Sequence, residues 1–107
     1  MKPWLIVFNK LPANAMALFP FIILKNEEQK KDRILINHEQ IHLRQQLELL
    51  ILPFYIFYLL NYFINLLRYR NHYQAYFNIS FEREAYRFEA DLNYLSERKW
   101  LNWVRFL

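Results

Sequence analysis

Residues 49–67, LLILPFYIFYLLNYFINLL, run for nineteen positions without a charge. An uncharged, mostly apolar run of about eighteen residues or more is a candidate membrane-spanning helix. Asn61 and Asn65 interrupt its apolarity, and Pro53 kinks it near its start. Arg68 and Arg70 close it sharply and suit a cytoplasmic flank, but Arg44 lies beyond the other end, so orientation stays open. The alternative is a helix buried on most sides by a second copy or by the rest of a small domain. The expectation from this segment is membrane insertion or tight association with the cell membrane. The N-terminus does not read as a secretory signal, because Lys10, Pro12 and Asn14 interrupt any apolar core and no small-residue cleavage site follows.

A chain of 107 residues forms one domain, residues 1–107, that buries about two-thirds of its surface on folding. It contains no cysteine, which removes disulfides, thiolate nucleophiles and cysteine-ligated metals. It also contains no glycine, which removes phosphate-cradling loops, dinucleotide fingerprints and glycine-framed serine elbows. Ten asparagines and four prolines are left to make the turns. The 14 basic and 10 acidic side chains are interleaved, seven and five in residues 1–48 and the same in 68–105. Nucleic-acid binders concentrate positive charge on one face or arm, and the aromatics here sit in apolar runs, so no nucleic-acid partner is expected.

The apolar runs 4–8 and 15–24 read as two strands, with Pro20 placing the second at a sheet edge or bulge. KNEEQKKD (25–32) is a polar loop whose Asp32 caps a helix running from Arg33 to about Leu52, where Pro53 breaks or kinks it. A second helix covers roughly 54–69, and 70–79 is a connector. Ser80 then caps a third helix over roughly 81–98. The tail KWLNWVRFL places Trp100, Trp103, Val104 and Leu107 at helical spacing, suited to the core or to a membrane interface. The fold class is α+β, mostly α: a short N-terminal β-hairpin or edge strands, a histidine-bearing helix, a long apolar helix and a glutamate-bearing helix.

His38-Glu39-Gln40-Ile41-His42 is an H-E-x-x-H on the first helix. Histidines at i and i+4 project from one face and can converge on one metal ion. Glu39 sits close enough to take a proton from a metal-activated water, the chemistry of peptide-bond hydrolysis. With cysteine absent, the third ligand comes from Asp, Glu or His. His72 lies in the connector, where a lone histidine is usually solvated. The third helix offers Glu82, Glu84, Glu89 and Asp91 beside an apolar stripe of Phe81, Ala85, Phe88, Leu92 and Leu95. Arg87 stands one turn from both Glu84 and Asp91 and gives them an intrahelical partner. Glu82 and Glu89 have none, which places both better than Glu84 or Asp91 to ligate a metal, Glu82 as ligand with Glu89 accepting a histidine N–H, or Glu89 in its place.

His38–His42 followed forty positions later by Phe81-Glu82-Arg83-Glu84-Ala85 resembles the gluzincin metallopeptidases, in their minimal form of about a hundred residues. The resemblance implies zinc held by His38, His42 and Glu82, with Glu39 as general base and a peptide or protein as substrate. It also implies a small-residue position at Ala85 and a substrate strand lying antiparallel to residues 16–24. An oxyanion-stabilising group would come from His72, Tyr73, Tyr76 or Tyr86. The membrane branch of this clan likewise places hydrophobic helices between the two motifs. Tyr86 departs from the pattern, since the family commonly has there an aspartate that orients a histidine. His38 to Gln46 is also similar to small uncharacterised bacterial proteins with a His-Glu-x-x-His-x-x-Gln-Gln start. The leading expectation is therefore a zinc metallopeptidase. The alternatives are a non-enzymatic, zinc-stabilised membrane or interaction protein, and a helical membrane protein with a fortuitous motif.

Overall fold

In the computed structural model, which describes residues 4–107, the N-terminal apolar runs form three strands: β1 (Trp4–Val7), β2 (Ala15–Leu18) and β3 (Phe21–Leu24). The single strand expected over 15–24 is divided. Phe19 and Pro20 make a two-residue turn with a cis peptide between them, so Pro20 lies in neither strand. Lacking an N–H, proline gives a ladder nothing to donate, and the chain reverses there. β3 is central, antiparallel to β2 and parallel to β1, in the order β1-β3-β2. Two-residue alternation buries Ile22 and Leu24 against Leu43 of the next helix, with Leu5, Val7, Ala15 and Ala17 around them. The other face of the sheet leaves Trp4, Ile6, Met16 and Leu18 exposed.

Asp32 Oδ1 accepts the Leu35 N–H at 3.1 Å and starts α1 (Arg33–Glu48). The helix ends four residues before the expected Leu52, and Pro53 does not break it. Pro53 instead occupies the first turn of α2 (Leu52–Tyr69), where no intrahelical N–H is needed. The 112° bend between the two helices falls on Leu50 and Ile51, both at positive φ (61° and 66°). Arg70 and Leu101 also take positive φ. Positive-φ positions that glycine would fill thus go to bulkier residues, and Arg70 and Leu101 hold the left-handed helical conformation at a cost of about 1 kcal/mol each. The asparagines work through their side chains: Asn26 and Asn71 cap helical turns, and Asn37 and Asn65 hydrogen-bond from the interior.

The expected connector 70–79 contains α3 (His72–Phe77), started when Asn71 Oδ1 accepts the Gln74 N–H at 3.0 Å. Ser80 is the first residue of α4 (Ser80–Phe88) and does not cap it; its hydroxyl donates to the Trp103 carbonyl. α4 ends well short of the expected residue 98. Asn37, reaching from α1, donates to the Glu89 and Asp91 carbonyls at 2.8 and 2.9 Å, so the chain turns away instead of closing further helical bonds. A short α5 (Tyr94–Glu97) follows, then a 3-10 turn (Asn102–Phe106) packed on α4. The whole is α+β and mostly α, with α1 contacted by β2 and β3 as well as by α2 and α4. Among the described residues no single helix is long and apolar enough to cross a membrane.

Candidate metal centre

α1 brings His38, Glu39 and His42 to its buried side, and α4 lies against it with Glu82 inward. All four are at least nine-tenths buried. Glu82 Oε1 stands 3.2 Å from His38 Nε2 and 3.0 Å from His42 Nε2. One ligand atom from each of the three residues lies within 4.8 Å of the others, an arrangement able to hold a metal ion.

The far ring nitrogens decide what those Nε2 atoms are. His38 Nδ1 is 2.8 Å from Glu89 Oε1, an acceptor-only carboxylate oxygen, so Nδ1 carries the proton. His42 Nδ1 is 2.8 Å from Gln45 Oε1. The orientation of that amide is fixed because Gln45 Nε2 donates to Glu84 Oε1 at 2.8 Å and to the Phe81 carbonyl at 3.1 Å. Both imidazoles therefore turn Nε2 to Glu82. Tyr58, from α2, donates to Glu82 Oε2 at 2.6 Å and leaves Oε1 for the cluster. Three lone-pair-bearing atoms this close repel one another unless positive charge lies among them, either protons on the imidazoles or a bound cation.

The titration of the protein without metal expresses the same demand. Burial works to lower His42, but the charge and hydrogen bond of Glu82, with Glu39 and Gln45 behind them, lift it to about 9. Burial works to raise Glu82, yet the His42 charge and the bonds from both imidazoles hold it well below the usual carboxylate range. Glu39 is pushed above its ordinary value, chiefly by burial, with the two histidines opposing.

Two cavities, of about 600 and 480 Å³, share His38, Glu39 and Tyr76 in their walls. The larger runs past Glu89, Tyr86 and the α3 residues His72 and Tyr73. The smaller is more apolar, lined by Met16, Phe54, Tyr55 and Leu59. The edge strand beside them is β2 alone, since residues 21–24 form the central strand. Part of the free edge of β2 is already used. Gln46 Nε2 and Tyr55 Oη both donate to the Ala17 carbonyl, and Gln46 Oε1 accepts the Phe19 N–H. Ala15, of the same outward parity, lines both cavities.

Among the expected site residues, the structure brings together His38, Glu39, His42 and Glu82. Glu84 is not the intrahelical partner of Arg87 that helical spacing suggested. It is fully buried and bound by Arg98, Tyr94 and Gln45. Asp91 is exposed and outside the cluster. Glu89 supplies, one turn after Tyr86, the carboxylate that orients His38, while the Tyr86 ring packs 4.5 Å from that imidazole. Of the oxyanion candidates, Tyr76 reaches both cavities and shares a 2.8 Å hydrogen bond with Tyr86. Gln45 and Tyr58 were not foreseen. Gln45 was legible as the residue three positions after His42 on one helical face, whereas Tyr58 depends on how α2 folds back. No known protein family, curated protein or solved structure matches this chain.

Proposed function

We propose that the protein is a zinc-dependent metallopeptidase of gluzincin type, with His38 Nε2, His42 Nε2 and Glu82 Oε1 as the protein ligands. The observation that carries this reading is the convergence of those three atoms with both Nδ1 atoms engaged elsewhere, while Glu39 lines the adjoining cavities. Two imidazoles and a carboxylate are a donor set suited to zinc with a position left open. Zinc held there would act as a Lewis acid and bring the pKa of a water towards neutrality. With zinc bound, Glu39, which lines both cavities beside the three ligands, would take the proton of that water and return it to the leaving amine. Tyr76, which lines both cavities and shares a hydrogen bond with Tyr86, would donate to a carbonyl oxygen as it gains charge. A peptide would lie along β2 at Ala15, with an apolar side chain in the cavity formed by Met16, Phe54, Tyr55 and Leu59.

Metal analysis of the purified protein tests the ligands: wild type and Asp91→Ala, a change at an exposed carboxylate outside the cluster, should hold about one zinc per chain, and Glu82→Ala much less. Glu39→Gln should keep the zinc and lose peptide hydrolysis by a factor of about 10² to 10⁴. Equal hydrolysis by that variant overturns the mechanism. Zinc binding with no hydrolysis by wild type would make the site a structural staple between α1 and α4.

A further inference from the structure

The side chains of α2 are arranged inside out. From Leu50 to Leu67 every exposed residue is apolar: Leu50, Leu52, Pro53, Ile56, Phe57, Leu59, Leu60, Phe63, Ile64 and Leu67. Every polar side chain of the helix before Arg68 turns inward and finds a partner. Tyr55 donates to the Ala17 carbonyl and Tyr58 to Glu82; Asn61 accepts the Ser80 N–H, Tyr62 pairs with His72, and Asn65 donates to the Ala75 carbonyl. The outward face exposes on the order of 800 Å² of hydrocarbon, more than the few hundred Å² common on soluble monomers. Arg68, Tyr69 and Arg70 follow it directly, all exposed.

We infer that this face docks the protein on a lipid bilayer, with α2 lying along the surface at the boundary between headgroups and acyl chains. A protein partner would be expected to form a hydrogen bond for every ~100–200 Å² of interface, and this face offers no side-chain donor or acceptor with which to form one. Acyl chains require none. The helix lies flat and does not span, because α1, α3 and α4 cover its inner side. Arg68 and Arg70 complement anionic headgroups, and Tyr69 suits the interfacial belt.

Flotation of the full chain with phosphatidylcholine vesicles, with and without phosphatidylglycerol, tests the inference. Wild type should float with both, several-fold more strongly with phosphatidylglycerol at low salt. Leu60→Glu with Ile64→Glu should lower partitioning at least about tenfold while thermal midpoint and metal content stay unchanged, since both side chains already face outward. Arg68→Gln with Arg70→Gln should lose only the phosphatidylglycerol increment. Wild type that remains in the buffer, or a glutamate pair that floats like wild type, overturns the proposal. A wild-type dimer that the glutamate pair dissociates, with no flotation of either, makes the occupant a second copy and overturns it equally.

Discussion

Gln45 decides which nitrogen of His42 faces Glu82, and Glu84 decides which end of the Gln45 amide faces His42. Gln45→Leu removes the acceptor, frees the imidazole to change tautomer, and should weaken zinc binding about 10–100-fold in competition with a chelating dye. The His42–Glu82 pair also sets a pH dependence for the metal-free protein. His42 is raised from 6.5 to about 9 on folding, so its contribution is complete below about pH 6.5 and disappears as pH rises through 9. Glu82 is lowered from 4.5, so its contribution is complete above that value and is lost as pH falls towards its depressed folded pKa. The two describe one interaction. Thermal midpoints measured with chelator should therefore be highest between about pH 4.5 and 6.5 and fall towards pH 9. Zinc must displace the proton from His42, so its affinity should rise over the same upper range.

Among the elements, the joint between α1, α4 and the C-terminal segment is ionic as well as apolar. Arg98 binds Glu48 through both Nη atoms, at 2.6 and 2.9 Å, and Glu84 through Nε and Nη2, at 2.5 and 3.0 Å. These side chains are essentially fully buried. Burial works to raise Glu84, but the bonds from Arg98, Tyr94 and Gln45 hold it below its ordinary value. Arg98→Met would leave two carboxylates buried without a cation and should cost about 3–5 kcal/mol in urea unfolding. Replacing Glu48, Glu84 and Arg98 together by apolar residues of similar volume should cost less than Arg98→Met alone, and a triple variant less stable than the single one would contradict this account. At the start of α3, Asn71→Ala removes the cap and should cost about 1 kcal/mol in the same measurement.

At the scale of the molecule, the proposed metal joins two helices that other contacts already hold. Ile41, Ala85 and Tyr94 form a buried cluster across α1, α4 and α5, beside the Arg98 network. Chelation should lower the thermal midpoint yet leave a cooperative transition and unchanged helical circular dichroism; collapse of the signal would mean that zinc is needed for folding. The same geometry explains what a linear reading could miss. Helical spacing matched Glu84 to Arg87, only one turn away, but burial beside α1 and the C-terminal segment gave it Arg98 instead. Tyr58 sits in a run that reads as uniform hydrocarbon, and only the 112° turn before α2 brings its hydroxyl to Glu82.

The sequence by itself determined the mostly helical α+β class, the helix bearing His38, Glu39 and His42, and the exclusion of thiolate and glycine-loop chemistries. Periodicity and residue type are local properties, and these features depend on little else. Tertiary structure decided which carboxylate meets the histidines, which groups fix their tautomers, and which side of α2 faces outward. Each of these depends on where a distant segment packs. The uncharged run of residues 49–67 was visible from the start; that its tyrosines and asparagines point inward and its leucines outward was decided when α2 folded back over α4.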